Sequence, residues 1–450
     1  MSTYLLHKAT IVTAVKEAVG SVIISEGKIV DVIYSDEEGY DYKVFAATRQ
    51  YPDLQRIELE GKHLMAGGID AHVHFRDPGL THKADMGTES RAAAAGGVTT
   101  AMDMPNTKPA TINEAAFIEK LELAKEKSCI NLGFNFGATN GNVEEIENIL
   151  EGKTSINPED VRGIKVFMGS STGNMLVDES QTLDRLFSIK SKPVLVHCED
   201  EDTIKANLQA AQEKYGDDIP FSEHENIRSR KACIKSSIKA LEKAMKHDTR
   251  LVLCHISTKE EVEMVRAAKT NNPGIIAETS CNYLWFCNED YEKMGSRLKC
   301  NPSVKSVSDR QALRAALAEG HIDTIGSDHA PHLLSEKEGC YTKAPSGLPS
   351  IQQSLPVLLT IAAQEEIPLT RIAAVFSENA SDLYGLKTGK VKAGYAADIV
   401  IFDKDKEFIV RNEDQFSKCG WTPYEGATLK GSVETVFVGG NIIYKEGKFI

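Results

Sequence analysis

The spacing of apolar and polar positions divides the chain into two kinds of segment. Near the start, Thr10–Val15, Ser21–Ser25 and Lys28–Tyr34 are apolar or β-branched runs separated by glycines and charges, a pattern that predicts short strands. Near the end, Ala397–Phe402, Glu407–Val410, Ser432–Val438 and Asn441–Tyr444 read the same way, with a Gly-Gly turn at 439–440. Each end is short for an independent core. The pattern therefore predicts one small β-domain assembled from both termini, residues 1–60 and 390–450, rather than two separate appendages.

Between them, residues 61–389 alternate short apolar runs with amphipathic stretches. Predicted strands are Gly68–His74, Thr99–Met104, Asn131–Ala138, Ile164–Met168, Pro193–His197, Leu251–His255, Gly274–Thr279 and Ile322–Ser327. Predicted helices include Thr88–Ala95, Glu114–Lys127, Asn142–Leu150, Ile227–Lys246, Lys259–Ala268 and Arg310–Glu319. Strands alternating with helices over this length predict an α/β fold, a (β/α)8 TIM-type barrel, with a doubly wound sheet as the competing arrangement. Leu333–Gly347, rich in Gly, Ser and Lys, reads as a long, lid-like loop after the eighth strand.

Composition narrows the class. With 450 residues, 41% hydrophobic and 26% charged, the chain can bury a large core and is not disordered. Its net charge of −13 argues against nucleic acid or an acidic membrane surface as partner, but not against a small acidic substrate met by a local cation. No apolar run reaches the roughly 18 residues of a membrane span, and no signal-peptide pattern opens the chain. Nine cysteines are scattered without a CxxC, which supports neither a disulfide framework nor a zinc ribbon and makes a reducing cytoplasm the expected compartment. The oligomeric state stays open, a homodimer included.

In a barrel of this kind the chemistry sits at the C-terminal ends of the strands. His72 and His74, two apart on the first strand, point to the same side and could share a zinc ion. His197 ends the fifth strand and His255 the sixth, while Asp328 follows the eighth. A lone histidine or aspartate in such a place is commonly structural; five on converging strands suit a hydrolytic metal site, with Asp328 as ligand or base. Lys165 stands inside the apolar fourth strand on its inward-facing side. A buried free ammonium is costly, so it snorkels, pairs with a carboxylate, or is carbamylated by CO2 into one.

These residues lie within HVHFRDPG, DMPNTKP, GIKVFMGSS, VLVHCED, LCHIST, GSDHAPH and VKAGYAADIVIFD. In this order the set resembles the amidohydrolase superfamily and, within it, the dihydroorotase family, over nearly the whole chain. The resemblance implies a (β/α)8 barrel, a composite β-sandwich from both termini, and two Zn2+ ions bridged by carbamylated Lys165. His72, His74 and Asp328 would bind one zinc and His197 and His255 the other. The implied reaction is the reversible cyclisation of N-carbamoyl-L-aspartate to dihydroorotate in pyrimidine biosynthesis, with Asp328 cycling the proton.

The resemblance also implies substrate contacts. Arg76 and Asn106 would clamp a carboxylate, for which a guanidinium fork is the fitting donor set. Otherwise Arg76 would bridge to Asp77 and Asn106 cap the turn before Pro109. Asn301, His332, Ser346 and Gly347 match further contact positions, and His74 reaches both metal and substrate. Many members carry an aromatic where this chain has Ser346. His329 would shape a turn, and His63, His82, His224 and His321 would be structural or exposed. Allantoinase and dihydropyrimidinase or hydantoinase, which share the metal frame, stay open as alternatives, as does an inactive scaffold. The filled set of six metal-ligand positions counts against a scaffold.

Overall fold

The two β-rich ends do pair with each other. The computed structural model describes residues 2–51, 53–169 and 175–450. From the N-terminal end come β1 (Tyr4–Val12), β2 (Glu17–Ser25), β3 (Lys28–Tyr34), β4 (Gln55–Glu58) and β5 (His63–Ala66). The barrel follows as β6 (Gly68–Val73), β7 (Val98–Asp103), β8 (Asn131–Gly137), β9 (Val161–Phe167), β10 (Val194–His197), β11 (Leu251–Leu253), β12 (Ile275–Thr279) and β13 (Thr324–Ile325). The C-terminal end adds β14 (Ile399–Ile409), β15 (Thr428–Val438), β16 (Asn441–Lys445) and β17 (Lys448–Phe449).

β17 to β14 join β5, β1, β2 and β3 in one sheet, with β4 paired to β1. The junction is antiparallel, Ile399 against Ala66 and Phe402 against His63. β5, beyond the 1–60 segment, is thus the strand through which the two ends meet. Leu6, Ile11, Val22, Ile24, Leu64, Ile399, Ile401 and Phe437 pack into one apolar cluster drawn from both ends. Neither end could bury these side chains alone.

β6 to β13 form an eight-stranded sheet with every neighbouring pair parallel. It closes just past the strand ends, where Val73 bridges His329 in parallel and the His74 N–H donates to the His329 carbonyl at 2.8 Å. The (β/α)8 barrel is therefore the fold, not the doubly wound sheet. Short strand-to-helix turns fix the strand ends. Thr258, three residues past His255, caps Lys259–Lys269 in a capping box with Glu261, and Ser306 does the same with Asp309 for Val307–Glu319.

Several elements differ from expectation. β1 ends at Val12, because Thr13 to Lys16 close a turn through a 2.8 Å backbone bond. The helix expected over Ile227–Lys246 is split into His224–Ile227 and Arg230–His247. Helices Tyr40–Gln50, Ser180–Phe187, Glu201–Tyr215 and Ser354–Gln364 were not anticipated. Leu333–Gly347 holds a helical turn, Leu334–Lys337, whose last lysine is buried. Ser170 and Ser171 of the GIKVFMGSS motif lie outside the described residues. No helix among the described residues is long and apolar enough to cross a membrane.

One buried ion pair sits under the first site-bearing turn. Asp103 at the end of β7 accepts the Phe75 N–H at 2.8 Å and meets Lys120 Nζ at 2.6 Å, with both side chains fully buried. Lys120→Ala would leave that carboxylate uncompensated, so it should cost about 3–5 kcal/mol of stability. Urea unfolding would measure it, and the double variant Asp103→Asn/Lys120→Met should lose less than Lys120→Ala.

Candidate active site

The barrel mouth gathers residues from distant stretches of chain around a small cavity, lined by His72, His74, Lys165, Phe167, His197, His255, Asn301, Asp328, Ala330, Ser346 and Gly347. All six residues expected to hold metal are in this lining. His72 lies in β6 and His74 one residue past it; His197 ends β10; His255 and Asp328 follow β11 and β13. Lys165 lies within β9 and is fully buried.

Three of the four histidines have a carboxylate or amide oxygen at their other nitrogen, while the buried Nδ1 of His255 has no hydrogen-bond partner among the described residues. His72 Nδ1 is 2.8 Å from Glu278 Oε1, leaving Nε2 3.6 Å from Asp328 Oδ1. His74 Nδ1 is 2.7 Å from Asn106 Oδ1, leaving Nε2 3.0 Å from the same Asp328 oxygen. His197 Nε2 is 3.0 Å from Glu199 Oε2, which leaves Nδ1 3.0 Å from His255 Nε2. Two ligating nitrogens on one tetrahedral ion lie about 3.3 Å apart for bonds of 2.0–2.1 Å. Carboxylate or amide partners on the far nitrogen are the usual support of a metal-binding imidazole.

His72, Asp328 and His74 can hold one ion, and His72, Cys254 and Glu278 form a second group with close donor atoms. Burial lowers the pKa of His72, His197 and His255 and so favours the neutral, ligating form. Burial alone would raise Asp328; the His74 hydrogen bond and the imidazoles around it outweigh that and hold the carboxyl well below the ordinary range. Burial, with the charge of Asp328, pushes Glu278 up to about 7 despite Lys165.

Lys165 has no carboxylate within ion-pair distance among the described residues; its Nζ is 3.4 Å from Cys254 Sγ. A thiol is a poor partner for a buried ammonium. The donor set therefore fits metal, and the ill-matched ammonium fits conversion to a carbamate.

The expected substrate contacts form a layer beside this cluster. Asn301 lines the cavity with its buried Oδ1 unpaired. Arg76, Asn106 and His332 stand just behind the lining. Arg76 is 2% exposed; its Nε donates to the Pro331 carbonyl at 3.2 Å and its Nη2 lies 3.1 Å from His332 Nε2. It does not pair with Asp77, which bonds Lys127 at 2.8 Å instead. The Asn106 carbonyl oxygen faces His74 Nδ1 at 2.7 Å. The Gly347 N–H goes to the Lys299 carbonyl at 2.9 Å, while its carbonyl, which has two lone pairs, accepts from Lys337 Nζ at 3.1 Å. The Ser346 carbonyl faces His332 Nε2 at 3.1 Å.

His329 is a turn residue, with Nε2 2.7 Å from Glu89 and Nδ1 accepting the Ser350 N–H. His63 and His224 are buried, and His82 pairs with Glu336 near the surface. Arg76 (φ 65°), His255 (φ 41°) and Asp328 (φ 49°) all hold left-handed backbone, a strain that concentrates at functional sites.

Sequence reasoning missed Glu278, Glu199 and Cys254. Their signal was an acid or thiol at an inward position of an apolar strand or strand end, the same signal that marked Lys165. Glu278 is packed so closely that a Cβ on Gly326 would come within 2.8 Å of its Cδ and of His72 Cβ.

The sequence matches the amidohydrolase family over residues 63–443. The chain belongs to the amidohydrolase family. Among relatives of this amidohydrolase, a dihydroorotase of Methanosarcina acetivorans is 35% identical over 90% of this chain and 84% of its own. An allantoinase of Desulfitobacterium hafniense is 29% identical over 95% and 92%. The L-hydantoinase (dihydropyrimidinase) of Arthrobacter aurescens superposes with a TM-score of 0.90 at 25% identity, covering 100% of this chain and 98% of that one. Family and relatives make this chain a hydrolase.

If Glu278 aims His72, Glu278→Ala should weaken zinc binding by about 10–100-fold. Competition with a chromogenic chelator checks this, and parental zinc affinity in a folded variant would remove Glu278 from that role.

Proposed function

We propose that this amidohydrolase is a dihydroorotase, interconverting N-carbamoyl-L-aspartate and dihydroorotate with two Zn2+ ions held by His72, His74, His197, His255, Asp328 and carbamylated Lys165. The observation that carries the substrate reading is Arg76. Burial lowers its pKa to about 10, so it stays charged at neutral pH, and no carboxylate of the protein pairs with it among the described residues. Lys83 Nζ, which can only donate, lies 3.1 Å from His332 Nδ1. The His332 proton is then on Nε2, directed at the Ser346 carbonyl, and Arg76 Nη2 meets no lone pair there. The η nitrogens keep hydrogens for a carboxylate arriving from the cavity. Dihydroorotate carries such a carboxylate, and dihydrouracil is the same ring without it.

The bound metal would supply an activated water and polarise the ring carbonyl. The chain's own residues do the rest. Asp328, ionised and held by His74, accepts the proton of the attacking water and returns it to the departing ring nitrogen; in cyclisation it takes that proton back. Asn301 offers its unspent carbonyl to a ring N–H, and Arg76 fixes the ring's carboxylate edge. The 35% identical dihydroorotase over most of both chains supports this reading above the allantoinase and hydantoinase alternatives.

A zinc-loaded preparation assayed on dihydroorotate, allantoin, dihydrouracil and hydantoin should favour dihydroorotate. Arg76→Ala should lower kcat/KM for it by about ten- to a hundredfold, the loss of one charged hydrogen-bond partner. Equal parental turnover of dihydroorotate and dihydrouracil would sink the carboxylate reading.

Intact-mass analysis of the native zinc protein should show one added carboxyl group at Lys165. Lys165→Ala should lose at least one metal ion and nearly all activity, and a small carboxylic acid should restore part of both. A fully active two-zinc protein with an unmodified lysine would refute the bridge.

A further inference from the structure

Residues 338–347 have only turns as regular structure, yet they end at the cavity edge formed by Ser346 and Gly347. Two buried lysines hold this loop, neither with a carboxylate partner among the described residues. Lys337 Nζ donates to the carbonyls of Lys299 at 3.1 Å, Pro345 at 2.8 Å and Gly347 at 3.1 Å. Lys299 Nζ donates to the carbonyls of Tyr341 at 2.6 Å and Ala344 at 2.7 Å, and lies 4.2 Å from the Tyr341 ring centre. An ammonium has three donors and no acceptor, so Lys337 has spent all of its hydrogens on main-chain oxygens.

The convergence is tight around one peptide. Gly347 gives its N–H to the Lys299 carbonyl at 2.9 Å and its carbonyl to Lys337. Its φ of 142° suits glycine, and a Cβ there would lie 2.5 Å from the Ala330 carbonyl oxygen. Lys299 is also two residues before Asn301, so one stretch of backbone anchors two walls of the cavity. Buried main-chain carbonyls need partners, and the loop lies in no sheet or helix that would supply them. Burial lowers Lys337 to about 7 and Lys299 to about 8, which marks how fully both amines are withdrawn from water.

We propose that Lys337, backed by Lys299, is a positioning residue that sets the Ser346–Gly347 edge against the substrate ring and thereby fixes substrate affinity. The proposal rests on the cyclic-amide reading of the cavity. An apolar side chain of equal length would fill the space but leave the Pro345 and Gly347 carbonyls without donors, with the Lys299 carbonyl held by the Gly347 N–H alone. The loop would then turn them toward water and the cavity edge would move with it.

The test compares Lys337→Met and Lys337→Arg with the parent as zinc-loaded full-length proteins. Steady-state kinetics use dihydroorotate or, should the parent reject it, whichever ring of the substrate panel it turns over fastest. A failed dihydroorotate reading thus leaves this test intact. Native-state trypsin cleavage after the exposed Lys343, followed by mass spectrometry, reads the loop without reference to activity. In Lys337→Met, KM should rise about tenfold or more with kcat within about threefold, zinc content unchanged and cleavage at Lys343 about tenfold faster. Lys337→Arg, which keeps donors and charge, should recover part of both changes. Unchanged KM and cleavage would overturn the proposal. So would kcat, zinc content and stability falling together without a separate rise in KM, because that is the behaviour of a merely structural residue. Should Lys337→Met not fold, Lys299→Met, which removes the Tyr341 and Ala344 bonds and the contact with the Tyr341 ring, takes its place, and parental KM and cleavage there would overturn it equally.

Discussion

Burial of polar groups without water is the constraint on which this structure depends. Four imidazoles, a lysine and an aspartate converge from five strands, and buried polar atoms not aimed at the cavity need partners elsewhere. Glu278, Asn106 and Glu199 do this for His72, His74 and His197. Those holders are themselves held: Arg228 pairs with Glu199, and Glu278 sits against Gly326, where only a hydrogen leaves room. The site is thus the inner layer of a polar network that continues into the barrel wall.

The same constraint organises the ground around the site. Asp103 ties the backbone of Phe75, between His74 and Arg76, to the buried Lys120. Asp70 accepts the N–H groups of His72 at 3.1 Å and Ser327 at 3.0 Å, joining the first and last barrel strands behind the metal-binding side chains. Its carboxyl is pushed up to about 7 by burial. Trp421, from the segment leading to the composite sheet, donates its indole N–H to the His332 carbonyl at 2.7 Å. The C-terminal end therefore takes part in placing the residue that faces Arg76, although no C-terminal side chain lines the cavity.

Much of this was legible in one dimension because its physical causes are local. The 2.0-residue alternation and the apolar runs of parallel strands mark β6 to β12 where they stand, and helical spacing marks the start at Lys259, whereas the helix expected from Arg310 begins three residues earlier at Val307, behind the Ser306 cap. Amphipathic helices declare themselves by one polar face. Ser354–Gln364 does not, since nearly all of its residues are buried, and Tyr40–Gln50 is a largely exposed helix with little periodicity to read. The two-residue β13 is too short to carry a pattern, so its place follows from the residues it delivers rather than from its own sequence.

By itself, the sequence determined the barrel, the pairing of the two termini in outline, and the six side chains that meet at the barrel mouth, because strand period and position at a strand end are properties of the local chain. Only the tertiary structure decided which nitrogen of His72, His74 and His197 faces the cavity, since that depends on where Glu278, Asn106 and Glu199 are placed by folding. It also decided that the Asn106 carbonyl serves His74, and that the Gly347 N–H is already given to Lys299. These are choices among partners brought together by folding, and a hydrogen bond has no sequence signal until both of its ends have been placed.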